Sequence, residues 1–294
     1  MMKIPQIDFI GIRKPCLIVS GLLMVVGLVA FLFFPENKKY GLDFSGGTML
    51  DIKFERPIGT KELEDIRKGL ENKGIKATLQ QIGKGEELII KLKGTEDEKT
   101  SGVIKKILEE KTKKFSWSST YVGPSVSKNL KSSALKSILL GCLCMLIYIA
   151  IRFEFRWAVA AIIALIHDVL ITVGLYLLTG REFNTPTVAA FLTLIGFSMN
   201  DTIVIFDRIR ENLKLTRKED YGVVINSSIN QTLTRTIITS LTVLFTAGAL
   251  YIFGGGEVAD FAFVMTFGVF IGVYSTVFIA SPIIYEWHIR SKVK

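Results

Sequence analysis

The stretch Phe197-Ser198-Met199-Asn200-Asp201-Thr202-Ile203-Val204-Ile205-Phe206 runs directly into Asp207-Arg208-Ile209-Arg210-Glu211-Asn212. Apolar and small residues lead into it from position 186, so the run is long enough to cross a bilayer, which takes about 20 residues as a helix. It nevertheless carries a carboxylate, Asp201, inside its apolar part. An ionised Asp at the centre of a membrane helix costs roughly 2.5–3.5 kcal/mol on insertion scales. Such an acid is expected to face a bundle interior or a water path, not lipid. At 1.5 Å per residue, Asp201 lies about 7.5 Å inside the end of the apolar run.

Five further apolar segments surround this one, and the six together are 16–34, 134–151, 157–178, 186–206, 235–253 and 261–285. Hydrophobic residues make up 49% of the chain and charged residues 21%, a mixture that points to a membrane part joined to a soluble part. The net charge of +9 would suggest nucleic acid in a soluble protein. Here the basic residues sort by loop, and no nucleic-acid partner is expected. Arg152 and Arg156 separate spans two and three; Arg208, Arg210, Lys214, Arg217 and Lys218 follow span four; Arg290, Lys292 and Lys294 close the chain. Positive charge in short loops marks the cytoplasmic side, so residues 1–15 and 286–294 are predicted to be cytoplasmic termini of a multi-pass protein. Lys3, Arg13 and Lys14 precede the first span, which is longer than a signal-peptide core and is read as retained.

Residues 35–133 read as an extracytoplasmic folded domain. "GTMLDIKFE" alternates like a strand. "TKELEDIRKGLENKG" reads as a helix with Thr60 as N-cap and Gly74 as C-cap. "KATLQQI" and "ELIIKLK" read as strands joined by "GKGE", "TEDEKTSGVIKKILEEKTKKF" as a helix with Val103, Ile104, Ile107 and Leu108 on one face, and "SWSSTYVG" as a last strand. The order β-α-β-β-α-β is the ferredoxin-like plan. The fold class is therefore a membrane α-helical protein of six transmembrane helices, with an extracytoplasmic α+β ferredoxin-like domain between helices 1 and 2.

Several residues carry candidate chemistry. Gly46-Gly47 leads into a strand and has no following Lys, so a tight turn is preferred over a phosphate loop. Asp201 admits two readings: a packing acid bonded to nearby Ser or Thr, or a carboxylate poised between desolvation and a cation that binds and releases a proton. Arg235, entering span five, either snorkels to the interface or partners Asp201. His167 and Asp168 sit near the middle of span three, as packing glue or as part of an ion path. Asp207, beside Arg208 and Arg210, reads as solvated or salt-bridged. Cys16, Cys142 and Cys144 lie in apolar runs and offer neither a disulfide framework nor zinc spacing.

Three stretches in order resemble one family: "YGLDFSGGT" after the first span, "NDTIVIFDRIREN" closing the fourth, and "NQTLTRTIITS" entering the fifth. They are similar to SecF, the smaller member of the SecD–SecF accessory complex of Sec protein export, related to resistance-nodulation-division transporters. The resemblance covers essentially the whole chain, since six spans with one large loop after the first is also the family plan. It implies a subunit of the cytoplasmic membrane, in contact with lipid, that works with SecD and the SecY channel. It also implies use of the proton, or in some members sodium, gradient to promote export of unfolded polypeptides. No enzyme activity, cofactor or metal is implied. Residue by residue, the ion relay falls on Asp201 and Arg235, and the head motif on Gly41, Asp43, Gly46 and Gly47. Asn200, Asp207, His167 and Asp168 are further candidates for the ion path. Rival readings are a small-solute transporter of the same superfamily, which would need a second six-span unit; an intramembrane hydrolase using Asp168 and Asp201, which lacks a Gly-x-Gly-Asp or His-Glu-x-x-His stretch; and an inert scaffold, which leaves the membrane charges unexplained.

Overall fold

The computed structural model describes residues 7–75, 77–82, 85–94, 98–112, 114–216 and 219–292. Lys3, Arg217, Lys218 and Lys294 of the charge pattern, Lys76 of the second strand stretch, Gly83 and Lys84 of the expected hairpin, and 95–97 of the second head helix lie outside the described residues. In chain order the elements are α1 (Arg13–Phe33), α2 (Glu36–Lys39), α3 (Leu42–Ser45), β1 (Gly47–Phe54), α4 (Thr60–Asn72), β2 (Thr78–Ile82), β3 (Glu87–Lys93), α5 (Glu98–Lys111) and β4 (Phe115–Val122). There follow α6 (Pro124–Arg152), α7 (Phe155–Leu178), α8 (Thr185–Leu215), α9 (Tyr221–Phe253), α10 (Gly256–Ser275), a π-helical turn over Thr276–Ala280, and α11 (Ser281–Lys292). Among the described residues six helical runs are long and apolar enough to cross a membrane: α1, α6, α7, α8, α9 and the continuous Gly256–Ser291.

The chain divides into two units. One comprises Glu36–Lys136 together with Glu182–Thr185. Its sheet has the order β2-β3-β1-β4 with every neighbouring pair antiparallel, which is the ferredoxin-like arrangement read from the sequence. Period-two alternation puts Leu50 and Ile52 of β1 and Leu88, Ile90 and Leu92 of β3 on one buried face. Ile66 and Leu70 of α4, and Ile104, Ile107 and Leu108 of α5, close over it. Each fully buried Leu or Ile contributes about 1.5–3 kcal/mol. Two details differ from expectation. The cap position of α4 is Gly59 and not Thr60, because Glu62 reaches back to accept the Gly59 N–H at 2.9 Å. Gly74 lies one residue past the C-cap Lys73, in the left-handed conformation (φ 70°) that ends the helix.

The other unit comprises residues 1–35, 137–181 and 186–294. Small residues set its spacing. Ala158, Ala160, Ala161 and Ala164 of α7 are buried, and α1 approaches α7 so closely at Gly27 that a Cβ there would stand 2.2 Å from the Leu170 carbonyl oxygen. Three helices outrun their apolar segments: α6 begins at Pro124, α8 continues to Leu215, and α9 begins at Tyr221. Polar bonds across α8 and α9 account for the last two. Asn212 Nδ2 donates to Ser228 Oγ at 2.8 Å and to Gln231 Oε1 at 3.0 Å, and Arg208 Nε donates to the same Gln231 oxygen at 2.5 Å.

Candidate functional site

Helical periodicity sorts the residues of the opening stretch. Ser198, Asp201, Thr202 and Ile205 recur at spacings of three and four, so they share the buried side of α8. Asn200 falls on the exposed side, away from this cluster. Asp201 is 3% exposed and accepts a hydrogen bond from Ser240 Oγ of α9 at 3.4 Å. At that length the bond is weak, and it leaves most of the carboxylate's capacity to accept unused.

Ser240 ends a row. Ser228, Thr232, Thr236 and Ser240 stand four apart along one face of α9, and all are buried. Ser228 donates to the Val224 carbonyl and accepts from Asn212; Thr232 donates back to the Ser228 carbonyl at 3.0 Å. Thr236 Oγ1 is buried with no partner among the described residues. Hydroxyls both donate and accept, so such a row can pass a proton or hold water between the polar end of α8–α9 and Asp201. Nothing in the sequence marks this row beyond the "NQTLTRTIITS" stretch, since Ser and Thr are common in membrane helices.

Arg235 precedes Thr236 on α9 and is exposed. Among the described residues no hydrogen bond or ion pair joins it to Asp201, whose bonding partner is Ser240. Asp207 stands apart: both its oxygens accept from Arg152 Nη2 at 2.7 Å in a partly exposed ion pair.

His167 and Asp168 lie in a second buried cluster at 0% and 1% exposure. Adjacent helix residues point about 100° apart, but here His167 Nδ1 and Asp168 Oδ1 are 2.9 Å apart. Asp168 Oδ2 accepts from Ser198 of α8 at 2.5 Å and from Ser275 of α10 at 2.8 Å. Ser198 thus belongs to one cluster while Asp201, three residues on, belongs to the other.

The head motif lies in the smaller unit. Gly46 and Gly47 have φ of 73° and 135°, and a Cβ on Gly47 would stand 2.0 Å from the Leu92 carbonyl oxygen, so glycine is required where β1 meets β3. The one-turn α3 precedes them. Gly41 N–H donates to the Phe183 carbonyl at 2.7 Å, Asp43 Oδ2 accepts from the Thr185 N–H at 2.8 Å, and Lys93 pairs with Glu182 at 2.6 Å. The motif therefore holds residues 182–185, which no sequence signal assigned to this unit. Among the described residues no cluster of three or more His, Cys, Asp or Glu could hold a metal ion.

Comparison with known proteins gives consistent results. The pattern of the family described as protein export membrane protein SecD/SecF, C-terminal, matches residues 103–290, and that of the SecD/SecF GG motif matches residues 39–58. The chain is 44% identical over 289 residues to protein translocase subunit SecF of Calditerrivibrio nitroreducens, covering 95% of this chain and 93% of the relative. It is 36% identical over 297 residues to protein translocase subunit SecDF of Thermus thermophilus, covering 99% of this chain but 40% of that longer protein. The crystal structure of SecDF from Thermus thermophilus, a translocon-associated membrane protein, is similar with a TM-score of 0.86 at 35% identity, covering 99% of this chain and 40% of that one.

Proposed function

The chain belongs to the SecD/SecF family of protein-export membrane proteins and is a multi-pass translocase subunit, and from that premise we propose that it converts the proton motive force into work on exported polypeptides, with Asp201 as the group that takes up and releases the proton. The observation that carries the reading is a buried carboxylate in the apolar part of α8, met by a row of buried hydroxyls on α9. Uptake of a proton at Asp201 removes its attraction to Arg235 and the demand for Ser240 as a donor, so α8 and α9 are free to repack. Release restores both. One charge moved through the membrane supplies about 2.3 kcal/mol per 100 mV, comparable to the roughly 2.5–3.5 kcal/mol that an ionised Asp costs in a membrane helix. The Ser228–Thr232–Thr236–Ser240 row is the approach route.

The partner in this reading is a SecD chain. The Thermus relative carries the name SecDF and is more than twice as long as the stretch this chain matches. The SecY channel, the unfolded exported chain and the surrounding lipid complete the setting. In this reading both termini lie in the cytoplasm and the α+β unit lies outside. It is supported by Arg152 pairing with Asp207 and Arg156 donating to Ser291, which gather basic ends of α6, α7, α8 and α11.

The test is Asp201→Asn in the full chain, reconstituted with SecD. Gradient-driven export is expected to fall to the level seen without a gradient, while the complex still assembles. Normal gradient-driven export by this variant would reject the relay. Varying pH and sodium independently assigns the ion, and a rate that follows sodium at fixed pH would replace the proton in the scheme.

A further inference from the structure

We propose that His167 and Asp168, with Ser198 and Ser275, form a second proton-holding site of the membrane unit, one that clamps α8 against α7 and α10 according to its charge. The proposal rests on the relay reading of Asp201 in that both sites act on α8, but it stands on separate residues.

Acceptor accounting is the first argument. Asp168 collects one ring nitrogen and two hydroxyls, so as a carboxylate it holds α8 through Ser198 and α10 through Ser275. The hydroxyls have somewhere to go when that charge is removed. Ser275 Oγ already lies 3.0 Å from the Gly272 carbonyl oxygen. Ser198 Oγ can rotate from donating to accepting, the role a protonated Asp168 would ask of it. The site therefore accommodates the bound proton as a new O–H on Asp168 while releasing its grip on α10.

A buried atom that packing alone does not require is the second argument. His167 is fully buried and its Nε2 has no partner among the described residues. With Nδ1 directed at Asp168, Nε2 is the nitrogen left to accept a proton from water entering the bundle. Structural clusters seldom leave a ring nitrogen so placed.

The third argument is the backbone. Directly after Ser275 the helix opens into the π-turn Thr276–Ala280, a distortion found frequently at functional sites. Thr276 Oγ1 donates to the Gly272 carbonyl oxygen at 2.9 Å and lies 3.1 Å from Thr202 Oγ1; Thr202 in turn donates to the Ser198 carbonyl oxygen at 3.2 Å. The hydrogen bonds thus close a ring from Asp168 through α10 and back to α8, at the residue beside Asp201.

Few other charges bear on the site. From α10, Tyr274 stacks on His167 at 6.1 Å, and its hydroxyl bonds to Ser20 and to the Cys16 carbonyl of α1. Cys16 of α1 supplies that carbonyl, and on α8 the acid next in sequence to Ser198 is Asp201, three residues on. No Lys or Arg makes a hydrogen bond or ion pair with the cluster among the described residues.

The experiment uses the full chain, labelled with 15N at histidine and reconstituted with unlabelled SecD in vesicles. The chain has two histidines, so His288→Gln leaves one ring to follow by solid-state NMR as pH is varied. The ring nitrogens of His167 are expected to change protonation with pH, and Asp168→Asn is expected to shift that titration and to lower gradient-driven export at least tenfold. Ser275→Ala, which removes one bond but no titrating group, is expected to cost less than threefold. Three results would overturn the proposal: a His167 ring whose state is constant across the pH range in which the complex is intact, an Asp168→Asn variant with a wild-type titration, or equal losses in Asp168→Asn and Ser275→Ala. The ring titration is read on unmutated Asp168, so it decides the matter even if Asp168→Asn does not assemble. Wild-type export by Asp201→Asn would reject the relay reading and leave this titration in place.

Discussion

Thr236 holds a hydroxyl in the bundle interior that bonds to nothing among the described residues. A buried, unpaired hydroxyl costs about 1–3 kcal/mol by mutational measures, so stability alone favours Val at that position. Thr236→Val should therefore leave the thermal midpoint unchanged or raised. If the hydroxyl row delivers protons to Asp201, the same change should slow gradient-driven export roughly five- to tenfold, the effect of losing about 1–1.4 kcal/mol of hydrogen bonding in the rate-limiting passage. Stability and export rate moving in opposite directions is the signature; an unaltered export rate would remove the row from the path. The contrast between Asp201 and Thr236 also explains what was readable in the sequence. A carboxylate inside an apolar run announces itself, because its cost has no structural excuse. Ser240 and Thr236 do not, because a Ser or Thr in a membrane helix usually bonds back to its own helix, as Thr232 and Ser228 do. His167 and Asp168 were visible as a polar pair, but that they bond to each other and to Ser198 and Ser275 depends on three helices that meet only in the fold.

At the scale of elements, β1 begins on a glycine whose φ of 135° and 2.0 Å approach to the Leu92 carbonyl leave no room for a side chain. Gly47→Ala would strain the backbone by about 1–3 kcal/mol and push β1 from β3. Faster amide hydrogen exchange along β1 and β3 in the intact chain is the expected readout, with the helices of the membrane unit unaffected; unaltered protection of β1 would show that the strand pair tolerates the Cβ. The strands themselves were legible because alternation is local: Leu50 and Ile52 face in, Asp51 and Lys53 do not. Helix ends were less so. Hydropathy ends α8 near Phe206 and starts α9 at Arg235, yet the helices run to Leu215 and from Tyr221. Hydropathy measures the thickness of lipid, whereas these extensions are held by Asn212, Ser228, Gln231 and Arg208 bonding across the pair. The π-turn after Ser275 left no mark in the sequence, since an inserted residue in a helix changes no residue type. Residues 182–185 fall between the apolar segments 157–178 and 186–206; their place beside Gly41, Asp43 and Lys93 comes from backbone and carboxylate bonds between stretches far apart in the chain.

For the whole molecule, the number of carboxylates able to carry charge through the membrane limits how steeply export can respond to voltage. One elementary charge crossing the full field gains about 2.3 kcal/mol per 100 mV, and about 1.36 kcal/mol changes a rate tenfold. A cycle in which Asp201 alone carries a proton can therefore rise by at most tenfold per roughly 60 mV. If Asp168 loads a second proton in the same cycle, the limit becomes tenfold per roughly 30 mV. Initial export rates from vesicles holding the chain with SecD, clamped at a series of diffusion potentials, measure this slope directly. The wild type is expected to fall between the two limits, Asp168→Asn to retain no more than the shallower one, and Asp201→Asn to lose voltage dependence altogether. A wild-type slope steeper than tenfold per roughly 30 mV would mean that charge moves which neither carboxylate supplies. The partly exposed Arg181–Asp260 and Arg152–Asp207 pairs would then be the next groups to neutralise. A flat wild-type response would mean that the pH difference and not the electrical potential drives the cycle, and the same vesicles under a pH step of equal free energy would show it.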